Sequence, residues 1–233
     1  MKIIELHQSV TASNDRDAQV LRAELKEKGL LLINLMSAPG SGKTTLLSRT
    51  ITDLKGRLKI AVLEADIDSA VDAETIEKLG AVSVQVHTDG MCHMDAGMTR
   101  EGLEGMDLSE TDLAFLENIG NLICPAEYDT GAARNVMILS VPEGDDKPLK
   151  YPLMFEKSDA LVISKTDALP FFDFDMEKCC QWARALNPGI RIFPVSAKTG
   201  EGMEAWEDWL LKETADWKVP TDRAAAAEEK PYA

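Results

Sequence analysis

The sequence predicts an α/β fold in three layers, with a mostly parallel sheet covered by helices on both faces. Three observations carry this expectation. Short apolar runs of strand length recur along the chain, stretches with helical spacing separate several of them, and the glycine-rich segment SAPGSGKTT directly follows the first run. Strands alternating with helices build parallel sheets whose ligands sit outside the carboxyl ends of the strands. A strand, a glycine-rich loop and a helix in that order are the context of a phosphate-binding loop. The fold class is therefore a P-loop NTPase.

Taken in order, residues 14–28 place Ala18, Leu21 and Leu25 on one helical stripe, with Gly29 as the stop. This reads as an amphipathic helix whose role is packing. The apolar runs follow: LLINLM (31–36), IAVLEA (60–65), VSVQVH (82–87), LAFLEN (113–118), NVMILSV (135–141), ALVIS (160–164) and IRIFPVS (190–196). Their lengths suit buried strands. Residues 43–54 set Leu46, Leu47, Ile51 and Leu54 on one helical face, and residues 176–186 read the same way. The expected organisation is an N-terminal helical segment over 1–29, a P-loop domain with a metal site over 30–217, and a flexible tail over 218–233. From Pro220 the sequence PTDRAAAAEEKPYA has little to bury.

Composition excludes several classes of function. With 233 residues and 45% hydrophobic content the chain can bury a full core. No apolar run approaches the roughly 20 residues that span a bilayer, and the N-terminus lacks the ordered regions of a signal peptide, so the expected location is the cytoplasm. A formal charge of −15 without a basic stripe argues against a nucleic-acid partner. Four cysteines, two of them adjacent, do not form a disulfide framework.

The glycine-rich loop carries the first chemistry. Gly40 and Gly42 let the backbone aim N–H groups at phosphate oxygens, Ser41 and Thr45 complete the cradle, and the following helix adds its dipole. Lys43 supplies charge to the β- and γ-phosphates, and Thr44 offers its hydroxyl to Mg²⁺. Ser37 stands where the consensus has its first glycine. Asp66 and Glu117 fall at two strand ends, where one carboxylate steadies Mg²⁺ and the other positions the attacking water. Gly120 is placed to approach the γ-phosphate.

The base is read further on. SKTD ends one strand, with Lys165 and Asp167, and SAKTG ends another, with Ser196, Ala197 and Lys198. GTPases recognise guanine with an NKxD motif, whose aspartate accepts from two ring donors, and with a later SAK loop. Guanine is therefore favoured. Serine at position 164, in place of the asparagine, is expected to brace the loops less well and to lower affinity.

GMCHMDAGM places Cys92 beside His93 after the third strand, and LICP places Cys124 after the fourth. Either residue type alone is more simply read as a buried side chain. Together, on the edge that holds the phosphate loop, two thiols and an imidazole are a ligand set for Zn²⁺ or Ni²⁺. Three ligands leave the shell open, and a symmetric dimer would close it.

The ordered motifs SAPGSGKTTLL, EADIDSAVDAETIE, GMCHMDAGM, ENIGNLICPAEYD, SVPEGDDKPLKYPLMF, SKTDALP and SAKTGEGMEAWEDWL closely resemble the HypB family, GTPases of nickel-iron hydrogenase maturation. The resemblance covers nearly the whole chain. It implies a SIMIBI-class GTPase that dimerises with GTP, holds Ni²⁺ or Zn²⁺ on Cys92, His93 and Cys124, and works with a HypA-type metallochaperone to load nickel, indirectly, into the hydrogenase large-subunit precursor. The histidine-rich or CxxCxC N-terminal stretch of many members is lacking here, where His7 stands alone. Three rival readings are a UreG-like urease GTPase, a nucleotide-regulated metal buffer and a partitioning-type ATPase. The first would show Cys-Pro-His around its cysteine, the second would show weak turnover, and the third would carry a lysine near the loop's start.

Overall fold

A computed structural model describes residues 6–66, 76, 78–88 and 90–218, excluding the side chains of residues 6–11 and of Asp66. The tail expected from Pro220 lies outside the described residues. The strands are β1 (Leu31–Ser37), β2 (Ile60–Asp66), β3 (Val82–His87), β4 (Leu113–Glu117), β5 (Arg134–Ser140), β6 (Ala160–Ser164) and β7 (Arg191–Pro194). All pairings among them are parallel, in the order β3-β2-β4-β1-β5-β6-β7, so the described sheet carries no antiparallel member.

Each apolar run became a strand, because each pairs with sheet on one or both sides; β1, β4 and β6 are buried throughout, whereas the edge strands β3 and β7 stay partly exposed. All seven residues of β1 are buried. They alternate between faces, as strand geometry requires. Leu31, Ile33 and Leu35 pack with Leu46, Leu47 and Ile51 of α2 (Lys43–Leu54) and with Trp206 and Leu210 of α8 (Met203–Lys218). On the opposite face Leu32 meets Leu21 and Leu25 of α1 (Leu6–Glu27) and Leu103 of α3 (Ala96–Glu104). Further along that face lie the short helices α4 (Cys124–Glu127), α5 (Lys147–Lys150) and α6 (Pro152–Glu156), with α7 (Met176–Leu186) outside them. The result is three layers with the sheet in the middle.

Several bounds differ from the sequence reading; β1 and β2 run one residue further, to Ser37 and Asp66, and β4 stops one residue sooner, at Glu117. Helix α1 begins at Leu6, ahead of residue 14, and the chain turns at Gly29 as expected. Strand β5 starts one residue earlier, at Arg134, and ends at Ser140, where Glu143 Oε2 accepts from the Ser140 N–H and hydroxyl and opens a 3₁₀ turn, Val141–Glu143. Strand β7 stops at Pro194 because the next residues close on themselves, Ser196 N–H bonding to Glu201 O and Gly200 N–H to Ser196 O.

The topology places the site. The connection from β1 runs to β2, beyond β4, whereas the connection from β4 runs to β5 on the other side of β1, so the two leave neighbouring carboxyl ends in opposite directions. That divergence opens the crevice in which doubly wound sheets bind ligands.

Candidate nucleotide and metal-donor site

The phosphate loop springs from the end of β1, and α2 begins at Lys43. Gly40 and Gly42 both adopt positive φ, 73° and 98°, which aims successive N–H groups into the concavity. Lys43 Nζ donates to Ser37 Oγ at 2.9 Å, so the serine that replaces the consensus glycine contacts the loop's own cation. Around the loop lies a cleft of about 580 Å³ lined by Gly42, Lys43, Thr44, Thr45 and, across from them, Glu64, Glu117 and Gly120.

Two acidic strands end at this cleft. Thr44 Oγ1 donates to Glu117 Oε1 at 3.1 Å, which joins two of the predicted residues directly. Asp66 is the last residue of β2, paired in register with His87, and its side chain lies outside the described set. Glu64 was missed by the sequence reading, although it is 3% exposed and lines the cleft. A glutamate inside the apolar run IAVLEA was the signal: a carboxylate there is buried, and buried carboxylates are rarely idle. Gly120 packs on Pro39 so closely that an added Cβ would lie 3.0 Å from that residue's backbone and ring, so the loop after β4 rests directly on the phosphate loop.

A second, smaller cavity of about 250 Å³ adjoins the first and shares Gly42, Thr45 and Lys165 with it. Asp167, Ala197 and Lys198 complete its walls. Ser196 Oγ donates to Asp167 Oδ1 at 2.7 Å, and Thr199 N–H donates to that same serine oxygen at 3.2 Å, so the SAK loop holds the aspartate in place. The weak bracing expected of Ser164 is not found. Its buried hydroxyl donates to Ser41 O at 2.7 Å, and Lys165 Nζ donates to Gly40 O at 2.7 Å, which ties the base loop to the phosphate loop twice. Serine is shorter than asparagine, but the two loops approach closely enough for it to reach.

On the far side of the loop after β4 stand the three residues expected from the sequence to bind metal, Cys92, His93 and Cys124. Cys92 Sγ and His93 Nδ1 are 3.8 Å apart. The thiols of Cys124 and Cys92 interact as well, and this contact is the first cause, ahead of burial, of the raised pKa of Cys124. The His93 ring is 6% exposed and stacked on Tyr128, with centroids 3.7 Å apart at 15°. Burial holds His93 below its ordinary pKa, with Asp95 and Glu127 opposing, and its Nε2 is buried without a hydrogen-bond partner. A neutral imidazole with an unpaired nitrogen beside two thiols fits a borderline cation. Among the described residues no group of three or more His, Cys, Asp or Glu side chains already converges as a ligand cluster. The three donors are thus neighbours in pairs, linked through Cys92, and not a finished coordination sphere.

The loop between the two centres is bonded to both. Asn118, fully buried, accepts from Met94 N–H at 3.3 Å and donates to Asn34 Oδ1 at 3.0 Å, while Asn121 Oδ1 accepts from Cys124 N–H at 3.4 Å. Cys179 and Cys180 lie away on α7. Burial pushes the Cys179 thiol up to about 12, as expected of a packing residue.

A phosphate loop at the divergence point of an all-parallel sheet defines a P-loop nucleotide-binding domain, and the family described as CobW/HypB/UreG, nucleotide-binding domain, matches residues 31–194. Within that class, this chain belongs to the HypB family. The hydrogenase maturation factor HypB of Azotobacter vinelandii is 46% identical over 212 residues, covering 91% of this chain and 70% of that protein. The hydrogenase/urease maturation factor HypB of Helicobacter hepaticus is 38% identical over 218 residues, covering 92% and 89%. The crystal structure of HypB from Helicobacter pylori in complex with nickel superposes with a TM-score of 0.84 at 37% identity, covering 90% of this chain and 98% of that one.

Proposed function

We propose that this protein hydrolyses GTP and uses the nucleotide state to govern delivery of nickel to a nickel-iron hydrogenase during its maturation. The observation that carries the reading is the loop 117–121. Its first residue touches the phosphate-loop threonine, and its later side chains hold the segments that bear Cys92, His93 and Cys124. A change at the γ-phosphate therefore has a bonded route to the metal donors. Membership in a family whose relatives are named hydrogenase maturation factors supports the cargo and its destination.

In this reading Gly40, Ser41, Gly42 and Thr45 cradle the phosphates, and Lys43 neutralises the charge that grows on them. Thr44 and one of the carboxylates Asp66 and Glu117 would hold Mg²⁺, which would offset the charge on the phosphates, and the other carboxylate would position the attacking water. The Thr44–Glu117 contact, with Glu64 beside it, is a donor set of hard oxygens that suits this ion. Asp167 reads guanine, with Ala197 and Lys198 of the SAK loop beside it. Cys92, His93 and Cys124 take Ni²⁺, or Zn²⁺ in its place, as cargo. The working form is a homodimer assembled with GTP and served by a HypA-type metallochaperone. Most of the exposed large hydrophobic side chains, Met91, Ile123, Leu149, Leu153, Phe171 and Phe172, follow strand ends on the ligand edge, which supports pairing through that edge.

The test compares nucleotide and metal binding in three proteins. Asp167→Ala should lose the preference for GTP over ATP and keep Ni²⁺ affinity, whereas Cys124→Ala should lose Ni²⁺ and keep GTP. An Asp167→Ala protein that still prefers GTP contradicts the base assignment, and a Cys124→Ala protein that binds Ni²⁺ like the parent contradicts the donor set.

A further inference from the structure

The donors sit on two separate segments, and one helix outside both of them is bonded to each. Asn14 of α1 divides its amide between them. Its Oδ1 accepts from Ala96 N–H at 3.0 Å, at the first residue of α3, just beyond the Cys92–His93 segment. Its Nδ2 donates to Asp129 O at 2.9 Å, the residue after the tyrosine stacked on His93. Two turns along the same helix Arg22 holds the second of these segments again. Its Nη2 pairs with the Asp129 carboxylate at 2.5 Å and its Nε donates to Ala132 O at 2.7 Å. Glu24 then pairs with Arg100 of α3 at 2.6 Å.

Packing of α1 on the sheet does not need these bonds. Ala18, Leu21 and Leu25 already bury its apolar stripe. The polar face is directed instead at the two segments that carry the donors, one after Cys92 and His93 and the other after Cys124 and Tyr128.

We infer that α1 is a strap across the two donor segments and that Asn14 is a positioning residue for the metal, fixing how far Cys92 and His93 stand from Cys124. This rests on reading those three residues as the nickel donors. The helix first taken as packing thus acts on metal affinity from outside the coordination shell, as partners that orient metal ligands commonly do.

The experiment measures Ni²⁺ affinity of the full chain by competition with a chromophoric chelator, together with the thiolate-to-nickel charge-transfer absorption and the affinity for a GTP analogue. Asn14→Ala should weaken Ni²⁺ binding by roughly tenfold, at the lower end of the usual loss for an outer-shell partner, and change the absorption band while leaving the GTP analogue bound as before. Asn14→Asp, nearly isosteric, keeps the acceptor for Ala96 N–H but sets a carboxylate oxygen against Asp129 O, so a loss at least as large as that of the alanine variant is expected. Lys26→Met serves as the control, because Lys26 ties the other end of α1 to Trp217 O, away from the donors. It should match the parent protein. Equal loss in Lys26→Met and Asn14→Ala overturns the proposal, since the effect would then be helix stability alone. Parent-like Ni²⁺ binding in Asn14→Ala also overturns it, provided Cys124→Ala loses the metal. Parent-like binding in both variants overturns the donor assignment beneath it.

Discussion

At the scale of single residues, Ser164 shows how a departure from a motif is judged by contact and not by identity. Its hydroxyl lies buried against the phosphate loop and donates to Ser41 O. One net hydrogen bond of this kind is worth ~1 kcal/mol, and an acceptor left unpaired in a buried place costs somewhat more. Ser164→Ala should therefore weaken nucleotide binding by about fivefold to tenfold. Ser164→Asn should bring little gain, because asparagine would at best replace the bond to Ser41 O that serine already makes. Titration of GTP into the three proteins checks this, and tighter binding by the asparagine variant would restore the expectation from the motif alone. His93 teaches the same lesson from the other side. Its place in the sequence was suggestive, but the unpaired buried Nε2 and the Tyr128 ring over it are what distinguish a donor from a satisfied core histidine.

At the scale of elements, α2 and α8 are joined by more than their apolar faces. Trp206 Nε1 donates to Thr50 Oγ1 at 3.0 Å within the core. Nearer the surface Glu207 of α8 shares a hydrogen bond with Asp53 of α2, whose other partner is Arg49. Burial, then the Asp53 charge and hydrogen bond, push the Glu207 carboxyl from its ordinary 4.5 up to about 7, against the opposing pull of Arg49. The folded protein therefore binds this proton more tightly than the unfolded chain. Its contribution to stability is whole below pH 4.5 and is lost as pH rises through about 7. Glu207→Gln keeps a hydrogen-bonding group and removes the titration. Denaturant unfolding of that variant should show a flatter pH profile and, at pH 8, a gain on the order of 1 kcal/mol, since solvent screening at this partly exposed carboxylate reduces the nominal effect. An unchanged pH profile would show that the two helices do not share a proton there.

At the scale of the whole molecule, the nucleotide cleft, the base cavity and the proposed metal donors all follow the carboxyl ends of strands in one sheet. Exposed apolar side chains, Met91, Ile123, Phe171 and Phe172, stand on the segments that follow strands β3, β4 and β6. Association through these segments would cover both ligand sites, so nucleotide, metal and assembly form linked equilibria, and linkage is reciprocal. If a GTP analogue tightens Ni²⁺ binding by some factor, Ni²⁺ must tighten the analogue by the same factor. Sedimentation with GDP, with the analogue and with the analogue plus Ni²⁺ should show a rising share of dimer. The same association state in all three would remove assembly from the mechanism. No helix among the described residues is long and apolar enough to cross a membrane.

Much of this was determined by the sequence alone. Strand-length apolar runs, helical leucine spacing and the loop SAPGSGKTT are local signals, and each run paired where its length and pattern allowed because a buried parallel strand needs only continuous apolar character. The placement of Lys43, Thr44, Glu117, Asp167 and the Cys92–His93 pair at or beyond strand carboxyl ends was legible, because strands of a parallel sheet all end on the same side and ligands bind there. The order of the strands was not legible, nor was the closeness of any two loops, since both depend on contacts between residues far apart in the chain. Only the tertiary structure brought Ser164 within reach of Ser41, set Asn118 between the phosphates' side and the metal's side, and laid Asn14 across segments more than eighty residues away. These side chains are ordinary in sequence, and it is the hydrogen-bond partners supplied by folding that set them apart.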